Sequence, residues 1–241
     1  YRWDDMIALK RVQSSDVTLA IPRRNWTSGK YYDIYKDNYN GVTAGVNIDS
    51  GAGTTPATLF NANFFVVTDE YNVYKCIDNN NGGQSTTKPT GTGTTIISTA
   101  DSYRWKYMYT VSPADVLKFV STDFIPVKKI ITNPGSTDPY YNQYLVEQAA
   151  VDGKIEHITV TNNGTSYSGA PTITITGDGN GAAADAVYDA GTNTVTGVTV
   201  TNGGSGYTFA TIAFSGGGGS AAAATAIISP KGGHGANAEE E

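Results

Sequence analysis

The stretch VTVTNGGSGYT (residues 198–208) alternates β-branched residues, then ends in glycines and a tyrosine. Nearly the same text, ITVTNNGTSYS, stands at residues 158–168. Ile158, Val160 and Asn162 match Val198, Val200 and Asn202; Gly164 matches Gly204, and Tyr167 matches Tyr207. TITITG (172–177) then matches TIAFSG (211–216) with one residue slipped, and AAADAV (182–187) matches AAATAI (222–227). A repeat of this kind decides the fold of the second half. Each copy reads as a strand, a glycine turn with a tyrosine, a strand, a second glycine turn and an alanine-rich strand.

Each part has a physical reason. Thr and Val favour a pleated surface. Gly164 and Gly204 supply the positive φ of tight turns. Tyr167 and Tyr207 can cover the end of a sheet while the hydroxyl reaches water or backbone. The glycines do not read as a phosphate loop, which needs a Lys and Ser or Thr after them and then a helix. The two copies therefore predict a small β-sandwich or barrel-like domain with an approximate internal two-fold, built from repeats 158–187 and 198–227.

The composition suits the same class. Of 241 residues, 28 are glycine and 16 tyrosine, and only 16% are charged, which favours short strands and tight turns over long surface helices. The net charge of −6 gives no steering toward nucleic acid or anionic lipid. Cys76 stands alone, so no internal disulfide is possible. No apolar run reaches membrane-spanning length.

Outward from the repeat, the text changes near Asp152. Residues 1–152 read as a β-rich domain, 153–229 as an inserted repeat domain and 230–241 as a return segment. RWDDMIALKRV (2–12) has helical spacing, and LAIPRRNW (19–26) reads as extended. Residues 31–58 read as loops with one strand. LFNANFFVVTDEYNVYKCID (59–78) predicts a β-hairpin turning at Asp69 and Glu70. In SYRWKYMYTV, Tyr103, Trp105, Tyr107 and Tyr109 share one face of a half-buried strand, with Arg104, Lys106, Met108 and Thr110 on the other. Ser112 and Pro113 start a short helix, FIPVKKI is extended, and YNQYLVEQA is a strand or a short helix. The class is mainly β (α+β), sandwich- or Greek-key-like, with a few short helices.

Candidate reactive centres fare poorly. His157 and His234 have no partner at ligand spacing, and GDGNG (177–181) lacks the further ligands of a calcium loop. Ser205 lacks the glycine spacing of a nucleophile elbow. Cys76 reads as buried and inert. Acid pairs such as Asp69-Glu70 and Glu239-Glu240 fall at solvated turns or ends. A polysaccharide-degrading enzyme would need paired carboxylates about 5–10 Å apart, for which nothing local speaks.

LAIPRRNW and DSYRWKYMYTVSPADV (101–116), with VYKCID (73–78) between them in the same order, resemble the baseplate wedge subunit of T-even-type contractile-tailed phages, the product of gene eight. The likeness covers roughly residues 1–130. The duplicated unit departs from it and looks like one found in structural proteins of marine and cyanobacterial tailed phages. ISPKGGHGANAEEE looks like the return to the family pattern. A start at Tyr1 without Met reads as a piece of a longer chain, as the family's longer proteins also suggest.

The resemblance implies a β-rich homodimer in the virion's tail baseplate, assembled in the host cytoplasm and bound to other wedge proteins. It implies no catalysis and no cofactor, while the residues themselves give no expectation of a metal, nucleic acid or membrane. Pro22, Arg23, Arg24, Trp26, Tyr103 and Trp105 would keep the fold and contact neighbours. The alternative is a carbohydrate-binding or adhesin module of a tail fibre, which needs an exposed row of Tyr and Trp.

Overall fold

A computed structural model of the protein describes residues 11–36, 45–47, 55–57 and 62–241. The helix expected over residues 2–12 falls outside these except for Arg11 and Val12, which belong to no regular element. Most of the stretch read as loops between residues 31 and 58 also lies outside the described residues. The chain is mainly β, with several antiparallel sheets and two short α-helices among the described residues.

The first part contains β1 (Leu19–Pro22), β2 (Gly45–Asn47), β3 (Thr55–Ala57), β4 (Phe65–Val67), β5 (Asn72–Asn79), β6 (Ile97–Ser98), β7 (Tyr103–Thr110), α1 (Pro113–Phe119), β8 (Phe124–Val127) and α2 (Tyr141–Ala149). A four-stranded sheet runs in the order β4-β5-β7-β6, while β1 pairs with β8 and β2 with β3. The Ser112 hydroxyl caps α1 by accepting from the Asp115 N–H at 3.2 Å, and Pro113 fills the first turn, where no N–H is needed. Residues 141–149 form a helix rather than a strand. That winding brings Gln143 and Val146, three apart, onto one buried face.

Strand β7 departs from a half-buried strand in two ways. Both its faces are covered: Lys106 and Met108 are buried along with Tyr103, Trp105 and Tyr107. The register also slips. Val73 pairs with Tyr109 and Tyr74 with Tyr107, so Met108 is an extra residue on β7. Such a bulge turns the strand. It separates Tyr109 from the Tyr103, Trp105 and Tyr107 cluster and packs it with Met108, Val111, Ile125 and Val127.

The repeat supplies β9 (Ile155–Thr165), β10 (Thr172–Gly177), β11 (Asn180–Asp189), β12 (Thr194–Ser205), β13 (Ala210–Ser215) and β14 (Ser220–Ile228). The copies are interlocked rather than side by side. The first strand of each copy pairs with the last strand of the other, β9 with β14 and β12 with β11. The two ladders match pair for pair, Asn180 with Ser205 against Ser220 with Thr165, and bulge at the same places. The middle strands β10 and β13 pair reciprocally about Thr174 and Ala213, which fixes the pseudo-two-fold axis. Neither copy could bury its apolar face alone. Together they enclose Ile155, Ile158, Val160, Tyr167, Val195, Val198, Tyr207 and Ile228.

The repeat unit enters and leaves at one point. Ile155 pairs with Ile228, the Lys154 N–H donates to the Ser229 hydroxyl at 2.9 Å, and the Ser229 N–H donates to the Lys154 carbonyl at 2.8 Å. Residues 230–241 then fold back over the first sheet, where His234 is fully buried.

Candidate functional site

Of the residues named with the family resemblance, Trp26, Tyr103 and Trp105 come together. The backbone after β1 runs beside β4: the Trp26 N–H donates to the Val67 carbonyl at 2.9 Å, and the Val67 N–H to the Arg24 carbonyl at 2.7 Å. Trp26 packs against the cluster of Tyr32, Tyr74, Tyr103, Trp105 and Tyr107. Its indole N–H donates to the Ser85 hydroxyl at 3.1 Å, and Ser85 donates to Asp101 at 3.1 Å, two residues before Tyr103. Tyr103 stacks on Trp105 with centroids 5.4 Å apart and 17° between planes. Its hydroxyl donates to the Gly83 carbonyl at 2.6 Å. Tyr32 meets Trp105 edge-on at 5.6 Å. The aromatic row is therefore core, with Trp105 at 0% exposure.

The arginines anchor backbone. Arg23 donates to Asn25 at 2.9 Å and to the Ser121 carbonyl at 3.1 Å. Arg24 donates to the Ala62 carbonyl and to Asn63, and its guanidinium lies 5.1 Å from the centre of the Phe65 ring. Pro22 ends β1 opposite Phe124, with both residues exposed.

Gly164 and Gly204, expected in turns, lie instead one residue before the ends of β9 and β12, and Tyr167 and Tyr207 stand in the links that follow. Gly164 and Gly204 have φ of 66° and 63°, and a Cβ on either would strike the backbone of the other copy. Tyr167 and Tyr207 are buried between these strand-end glycines and the glycines of the opposite copy. In GDGNG, Asp178 accepts from the Thr208 N–H at 2.8 Å and from its hydroxyl at 2.5 Å, which holds its carboxyl down at about 2. That carboxylate clamps a turn. Among the described residues, no group of three or more His, Cys, Asp or Glu could hold a metal ion, and no helix is long and apolar enough to cross a membrane. Cys76 is buried, and desolvation pushes its thiol well up.

Two polar clusters escaped the sequence reading. At the first, Asp78 on β5 accepts from His157 Nε2 at 2.9 Å and Thr159 Oγ1 at 2.6 Å on β9, joining the first sheet to the repeat unit. Burial works to raise the Asp78 carboxyl, but these hydrogen bonds outweigh it and hold the group below the usual range. An open cleft of about 470 Å³ runs beside them, lined also by Asn81, Ser102 and Arg104. At the second, Lys75 Nζ lies 2.5 Å from Glu241 Oε2 and 3.4 Å from His234 Nδ1. All three side chains are buried, so Glu241 is not solvated as its acidic neighbours are. One signal for Lys75 was available: it stands between Val73 and Ile77 on one strand face, where a lysine needs a counter-ion. The distant Glu241 carried no such signal.

Comparison with protein-family models, curated proteins and solved structures finds no match for this chain.

Proposed function

We propose that the chain is a structural subunit of a phage tail baseplate wedge, acting by self-association as a homodimer and by binding other wedge proteins. One observation supports this most: the two sequence stretches that resemble the wedge family build one aromatic core. Trp26 from the first, half-buried, packs against the buried cluster that holds Tyr103 and Trp105 from the second, with Ser85 and Asp101 between them. Residues far apart in sequence that serve one core fit a shape-giving role.

The surface offers support as well. The outward side of the β1–β8 ribbon carries Ala20, Pro22 and Phe124, all exposed. Assembly interfaces of lasting complexes are apolar and bury roughly 2,000 Å² or more. The carbohydrate-binding alternative would stack sugars on the aromatic row, and that row is enclosed.

Sedimentation of the purified chain, alone and mixed with wedge proteins of the same phage, tests the reading. A dimer that co-sediments with at least one of them supports it. A monomer that binds none of them and is retained on a glycan column would overturn it.

A further inference from the structure

Residues 230–241 lie across the first sheet with little apolar grip. Their sequence is PKGGHGANAEEE, which offers only a proline and two alanines for burial beside the histidine. Burial of so few carbons stabilises a segment by only a few kcal/mol. Their hold is instead polar and charged. Glu241 Oε2 accepts from Lys75 on β5, while Oε1 accepts from the Gly235 N–H at 2.7 Å, closing the segment on itself. The Gly232 N–H donates to Asp152 at 2.7 Å, and Glu239 accepts from the Lys129 N–H at 3.1 Å. Gly232, Gly233 and Gly235 have φ of 89°, 99° and 83°, a backbone that glycine adopts without strain.

Beneath it sits an excess of positive charge. Lys75 and Lys106 are direct cross-strand partners on β5 and β7, and both are buried. Like charges at that spacing repel. Glu241 is the carboxylate that meets Lys75. His234, fully buried, presents Nδ1 to Lys75 and lies 3.7 Å from Glu241 Oε2. Its ring meets Tyr35 edge-on at 4.6 Å, and its Nε2 has no partner among the described residues. Glu156 on β9 acts on it from further off. A proton on His234 would thus enter a site that already holds Lys75, with Lys106 alongside.

We propose that residues 230–241 form a proton-operated strap, closed while His234 is neutral and Glu241 ionised, and released as either takes up a proton. Release would uncover the Lys75 and Lys106 face of the sheet. The sign follows from both groups. Desolvation, then Lys75, lowers the His234 pKa from 6.5 to about 4 in the closed strap. A released His234 takes up its proton at the ordinary value, so closure weakens as pH falls below about 6.5. Burial works against the Glu241 carboxylate, yet His234 and Lys75 prevail and hold its carboxyl at about 2. That contribution is present above the ordinary carboxylate value and fades as pH falls below it.

Hydrogen exchange on the full chain, corrected for the intrinsic pH effect, tests the strap. From pH 7 to about pH 5, protection of residues 233–241 should fall roughly twentyfold from His234 alone, while β12 keeps its protection. Glu241→Gln should lose that protection already at pH 7, with β12 again unchanged. Equal protection of the segment at both pH values, or loss only together with β12, would overturn the proposal. So would a Glu241→Gln chain whose strap is as protected as the parent's.

Discussion

Gly219 lies against the ring of Tyr167, so closely that a Cβ on Gly219 would sit 2.4 Å from the ring Cγ. The symmetry mate repeats it: a Cβ on Gly179 would meet the Tyr207 Cγ at 2.4 Å. The same two Cβ positions would also come within 2.6 Å of the Thr165 and Ser205 carbonyls, respectively, so a shift of the ring alone could not relieve the crowding. Each tyrosine is thus wedged by a glycine of the opposite copy, and the two copies lock each other.

Gly219→Ala and Gly179→Ala should therefore each destabilise the chain by about 1–3 kcal/mol. Gly169→Ala is the control, because nothing lies within 4 Å of its Cβ position. It should stay within about 0.5 kcal/mol of the parent. Urea unfolding midpoints with unchanged slopes measure both. A Gly219→Ala chain as stable as the Gly169→Ala chain would remove the wedge from the account.

The repeat unit should fold by itself. Its core draws only on residues between Ile155 and Ile228, and its two ends are paired. A chain of residues 153–229 should melt cooperatively and show dispersed amide resonances. The converse is asymmetric. Ile227 also packs with Tyr35, Phe64 and Ile77 of the first part. A chain lacking the unit should therefore melt lower than the parent.

Trp105 should behave as core. Trp105→Ala should cost about 3–5 kcal/mol. Trp105→Phe should cost less, because the buried indole N–H finds no acceptor among the described residues and its removal leaves no partner unpaired. Thermal unfolding separates the two. A Trp105→Ala chain of parental stability would mean that the ring is not enclosed.

Much of this architecture could be read from local text, and the limits have identifiable causes. The duplicated unit showed in Gly164, Tyr167, Gly204 and Tyr207 because turn chemistry and period-two alternation are local. The exchange of outer strands between copies did not, since either pairing satisfies the same alternation. The bulge at Met108 was invisible for a similar reason: one extra residue leaves the pattern intact on either side of it. The aromatic core was legible in Tyr103 and Trp105, but its junction with Trp26 needed the chain's path. Asp78 with His157, and Lys75 with Glu241, are pairs 79 and 166 residues apart. No spacing rule reaches that far, so the polar sites emerged only from the fold.

The junction between the first sheet and the repeat unit gives the last prediction, and its pH dependence has a definite sign. Asp78 accepts from three donors: His157, Thr159 and, at 2.8 Å, the Asn80 N–H. Its carboxyl is lower than usual, so its contribution is complete above the free-carboxylate value of about 4 and drains as pH falls through the folded value. Asp78→Asn replaces one acceptor oxygen by an NH₂ that faces donors. It should cost about 1–3 kcal/mol at neutral pH. It should also flatten the acid limb of the stability curve, because the titrating group is gone. Thr159→Val removes one donor and keeps the carboxylate, so it should lower stability while preserving the acid limb. Urea unfolding of the three chains across the acid range reads both effects. If Asp78→Asn kept the parent's slope below about pH 4, the acid sensitivity would belong to other carboxylates, and the Asp78 junction would be a contact of shape alone.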